Sequence, residues 1–82
     1  MTIKEAAQTA LDVQSAVNLS GVLASFKEVV HEVIWPEAHR LGKGTEWVNS
    51  HPIVTLYLSK LTDLNYNQDF SHAYDAVKQL AR

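Results

Sequence analysis

Eighty-two residues with 46% hydrophobic and 20% charged side chains make one globular domain, 1–82, too short for two cores and too rich in apolar residues for disorder. Seven Lys and Arg against nine Asp and Glu give a formal charge of −2, which excludes the basic field that general nucleic-acid binding needs and falls short of a DNA mimic. Cysteine is absent, so disulfides, thiolate nucleophiles and Cys-based zinc or iron–sulfur sites are excluded together.

The chain opens with Thr2 and Glu5 at the spacing of a capping box, followed by Ile3, Ala6, Ala10, Val13 and Val17 on one helical face. This predicts a helix over 3–17, with an alanine-rich stripe suited to close approach by a neighbour. Asn18, Ser20 and Gly21 then supply cap and turn chemistry. Val22, Phe26, Val29, Val30, Val33 and Ile34 recur at three- and four-residue intervals, the strongest amphipathic pattern in the chain. That helix should stop or kink before Pro36, or restart there as a short continuation over 37–41 closed by Gly42.

Gly42-Lys43-Gly44 is a loop without Walker spacing, after which Thr45 is positioned to cap a short helix through Trp47 and Val48. Pro52 suits the first turn of a longer helix that places Ile53, Leu56, Tyr57, Lys60, Leu61 and Leu64 on one face. Asn65, Asn67 and Asp69 interrupt the pattern, and Phe70, Ala73, Tyr74, Val77 and Leu80 form the last helical stripe. The fold class is therefore all-α, a compact bundle of about four helices. The longest large-apolar run, Val33-Ile34-Trp35, cannot span a bilayer, and the first residues lack an apolar signal region. The expectation is a cytoplasmic protein without a membrane partner, and the small core leaves monomer and homodimer both open.

Two groups of residues carry what chemistry there is. Glu28, His31 and Glu32 contain one Glu-x-x-His step, half of what a di-metal carboxylate site in a helical bundle requires. A symmetric dimer would have to supply the rest, so the metal assignment of Glu28, His31 and Glu32 stands as the alternative to a solvated helix face. Trp35 and Trp47 flank the turn region, with His39 and His51 near the same bends. Tryptophan is a frequent interface anchor, and Trp35, His39, Trp47 and His51 are the candidate partner-binding residues. Tyr57, Tyr66 and Tyr74 read as core-edge residues. No catalytic residue and no cofactor motif is identifiable, and Ser50-His51 lacks a nucleophile elbow. The expectation is a non-enzymatic protein.

The segments Asn18-Leu19-Ser20-Gly21-Val22, Trp35-Pro36-Glu37-Ala38 through Leu41-Gly42, and Gly44-Thr45-Glu46-Trp47-Val48-Asn49-Ser50-His51-Pro52-Ile53 carry a resemblance. The chain resembles a family of short bacterial proteins found on chromosomes, plasmids and phages, over roughly 11–64. The resemblance implies no activity, cofactor or catalytic residue. What it implies is context: small helical proteins of mobile elements often act by binding a host or defence protein. A protein-binding module of the anti-CRISPR type is the leading expectation, and a small-ligand or metal-binding homodimer is the alternative.

Overall fold

The computed structural model describes residues 1–62 and 68–82, with side chains from residue 70 onward in the second stretch. Leu64, Asn65, Tyr66 and Asn67, and the side chain of Asp69, lie outside the described residues. What is described is all-α, with six α-helices: α1 (Ile3–Val13), α2 (Leu19–Val29), α3 (Trp35–Leu41), α4 (Thr45–Ser50), α5 (Pro52–Thr62) and α6 (Gln68–Leu80). A π-helical turn, Val30–Ile34, joins α2 to α3. Residues 19–41 therefore form one continuous rod, and the described residues make five helical stretches rather than about four.

The capping box starts α1. The Thr2 hydroxyl accepts from the Glu5 amide and the Glu5 carboxylate accepts from the Thr2 amide, each at 3.1 Å, satisfying two of the amide donors that a helix start leaves unpaired. These bonds hold the Glu5 carboxyl below its ordinary range. Ala6, Ala7 and Ala10 are fully buried, and their small side chains let α1 lie close against α5 and α6.

The helix ends four residues earlier than the periodicity predicts. From Gln14 to Ala16 the backbone turns to bonds between residues three apart, and Val17 is 99% exposed. Side chains from elsewhere fix this end. Gln14 Nε2 donates to the carbonyls of Ala10 and Leu56 at 3.4 and 3.3 Å, while Lys60 Nζ donates to the Gln14 carbonyl at 3.1 Å. A cation at a helix C-terminus is favourably placed against the helix dipole. Asn18 caps α2 by accepting from the Ser20 amide, and Gly21 lies inside that helix.

The rod passes through Pro36 without stopping. Proline lacks an amide and its ring crowds the carbonyl four residues earlier; just before it, the Trp35 amide reaches back five residues to the Val30 carbonyl. This wider turn also shifts the buried face by one residue. A regular α-helix would continue the stripe Val22, Val29, Val33 toward Pro36, Glu37 and Arg40. The wider turn keeps Ile34, a member of the predicted stripe, fully buried and carries that stripe on to Ala38, also fully buried. Gly42, at φ 69°, closes α3: the Lys43 amide reaches Ala38 at 2.8 Å and the Gly42 amide reaches His39 at 3.2 Å, the paired bonds of a left-handed glycine cap.

Gly44 caps α4, and Thr45, expected as the cap, is already its first residue, without a side-chain bond to the helix start. The core centre is Tyr57, Ile34, Ile53, Leu56, Val22, Val29, Val54 and Val77, each under 2% exposed. Tyr57 is thus not a core-edge residue. Its hydroxyl shares a 2.7 Å hydrogen bond with Ser25 and its ring stacks on Phe26 with centroids 5.3 Å apart. Burial pushes its phenol up, opposed by the Ser25 bond. Tyr74 is half-buried, stacked on Phe70 with the Lys78 ammonium 5.2 Å from its ring centre.

Candidate functional site

Each of the two tryptophans lies against a histidine four residues later in the chain. The Trp35 and His39 rings meet edge to face with centroids 6.1 Å apart, and Trp47 and His51 do so at 5.3 Å. The surroundings of the two pairs differ. Trp47 is half-buried at the α4–α5 junction. His51 Nδ1 accepts the Ile53 amide at 3.1 Å, so the imidazole acts as the cap of α5, replacing the carboxamide or hydroxyl usual at that position. Accepting at Nδ1 requires that nitrogen to be unprotonated. Burial holds His51 below the ordinary histidine value, while the nearby Glu37 carboxylate opposes the shift. Glu37 is also paired with Arg40 on the same helix, which lowers its own pKa.

The first pair lies on the continuous rod, with Trp35 packed against the edge of the core. Trp35 is half-buried and His39 is exposed; with His31 and Pro36 they line an open, largely apolar depression. A second depression, lined by Phe26, Lys27, Val30, His31 and Trp35, joins the first through its shared residues His31 and Trp35. The sequence places His31, Trp35 and His39 at successive four-residue steps, which project to one helix face. That spacing is the signal by which His31 could have been assigned to the tryptophan rather than to the carboxylates.

Glu28, His31 and Glu32 are all exposed, and among the described residues no three His, Asp or Glu side chains are grouped to hold a metal ion. His31 lines the aromatic depressions, whereas Glu28 and Glu32 line neither. His72 is also exposed, beside a shallow cleft with Ser50, Pro52, Thr55, Ala73 and Ala76. The Ser50 hydroxyl donates to the Glu46 carbonyl at 2.9 Å, a local helix bond rather than a nucleophile poised by a base.

No family model, curated protein or solved structure matches this chain. Among the described residues, no helix is long and apolar enough to cross a membrane.

Proposed function

We propose that this protein is a non-enzymatic binding module whose partner is another protein, docked on the face that carries His31, Trp35 and His39. The single observation behind this reading is the half-buried Trp35 in two joined apolar depressions on a continuous helix. Tryptophan presented in that way offers a large apolar surface at little conformational cost, as interface anchors do. Of the four candidate residues, Trp35 and His39 belong to this face, whereas Trp47 and His51 serve it by holding the α4–α5 junction. The resemblance to proteins of mobile elements directs the reading toward a host or defence component as the target.

Affinity capture from a bacterial lysate tests the proposal, with wild-type, Trp35→Ala and Trp47→Phe proteins as baits. The expected outcome is a stoichiometric partner retained by wild-type and Trp47→Phe and lost with Trp35→Ala, whose far-ultraviolet circular dichroism stays helical. Retention by all three baits would place the docking surface elsewhere.

A further inference from the structure

The chemistry of the same face defines the kind of protein that fits it. Leu19 and Leu23, 51% and 43% exposed, stand one helical step apart, and Lys27 and His31 continue that four-residue series to Trp35 and His39. Phe26 and Val30, both half-buried, complete the floor beside it. From Leu19 to His39 the face spans about 30 Å at 1.5 Å per residue, long and narrow like a helix. Exposed Leu19 and Leu23 and the half-buried Phe26, Val30 and Trp35 are its apolar members, and apolar side chains grouped at a surface mark contact sites.

Its polar members include no negative charge. The side chains lining the two depressions include one ammonium, Lys27, and two imidazoles, His31 and His39, and no carboxylate. This contrasts with a chain whose net charge is −2. The nearest acidic residues on the rod are directed elsewhere: Glu28 and Glu32 line neither depression, and Glu37 is paired with Arg40.

Resting on the protein-binding reading above, we infer that the face spanning Leu19, Leu23, Lys27, His31, Trp35 and His39 receives an amphipathic helix with acidic margins. Its apolar residues, repeating every three or four positions, lie along Leu19, Leu23, Val30 and Trp35. Its Asp or Glu side chains meet Lys27 and the two imidazoles.

The test uses full-length Trp47→Phe protein, in which Trp35 is the sole tryptophan, titrated with two synthetic 18-residue helical peptides. Both carry the same apolar positions; one has Glu along its margins and the other Lys. The expected result is a saturable blue shift of Trp35 emission with the Glu peptide, weakened about tenfold by Lys27→Glu and by raised salt, and none with the Lys peptide. Equal binding of both peptides, or no effect of Lys27→Glu, overturns the inference. So does a Trp35-dependent dimer in sedimentation, which would make a second copy the occupant, or a blue shift with vesicles of anionic phospholipid and none with either peptide. Should the lysate capture depend on Trp35 while the Glu peptide fails to bind, the acidic partner is overturned and the protein-binding reading stands. Loss of both overturns the two together.

Discussion

The Ser25 and Tyr57 hydroxyls form a pair whose members differ in their access to water. Tyr57 is fully buried, whereas Ser25 is half-buried. Removing the Ser25 hydroxyl leaves a buried phenol without its partner, which costs more than removing the phenol and leaving a serine that reaches solvent. Ser25→Ala should therefore destabilise the protein by about 1–3 kcal/mol and Tyr57→Phe by about 1 kcal/mol or less, read as shifts in the urea midpoint. The reverse order would show that the hydroxyl bond does not organise the core. His51 gives a residue-scale prediction in pH. Its folded pKa lies below the ordinary value of 6.5, so as pH falls through that value the unfolded chain takes up a proton that the native imidazole refuses. Its contribution to stability is present above the unfolded pKa and declines as the solution is acidified toward the folded one. Thermal melts between pH 7.5 and 5.5 should show this decline in wild-type and a flatter profile in His51→Asn, which caps α5 without titrating.

Among the elements, α1 and the α2–α3 rod solve different packing problems. The first uses alanine to bring three helices together, with Ala6, Ala7 and Ala10 entirely enclosed. Ala7→Leu should push α1 away from its neighbours and cost about 1–3 kcal/mol through overpacking, whereas leucine at exposed Gln8 should change the melting temperature little. The rod instead changes its buried register part-way along. Its π turn directs Ile34 and Ala38 inward and leaves Pro36 at the surface beside Trp35. The glycine closing the rod matters for a backbone reason: Gly42→Ala, in a left-handed conformation, should cost about 1–2 kcal/mol, although a methyl group there would meet no atom within 4 Å. An unchanged urea midpoint would mean that the cap is not formed in solution.

At the scale of the whole molecule, the protein divides into a covered side and an uncovered one. Tyr57 and its neighbours bind α2 to α5, and α1, α5 and α6 pack against one another, while the rod's other flank keeps Leu19, Leu23 and Trp35 at the surface. If that flank is reserved for a different protein, as proposed, native mass spectrometry should give a single-chain species, and one without retained metal. A metal-loaded dimer would return Glu28, His31 and Glu32 to the centre of the chemistry.

Much of this architecture was legible from residue spacing alone. The capping box at Thr2 and Glu5, the Asn18 cap, the Gly42 stop and the stripes of α5 and α6 are local signals, because capping and amphipathicity operate over three to seven residues. Trp35, His39, Trp47 and His51 were legible only as one group around the bends; that each tryptophan meets the histidine four residues on is a finding of the structure. The end of α1 was not, since it is fixed by Gln14 and Lys60 across a sequence distance of more than forty residues, and periodicity carried the helix on to a fully exposed Val17. The passage of the rod through Pro36 was not legible either, whereas the position of His31 beside Trp35 was, in the four-residue spacing of the two. That passage depends on a one-residue change in helical register that only burial of Ala38 against the rest of the bundle selects. The sequence by itself determined the all-α class, the main caps and the apolar stripes, because those are local properties of the chain. Which stripe is enclosed and which stays open was decided by tertiary structure, because burial is a property of neighbours that only folding brings into contact.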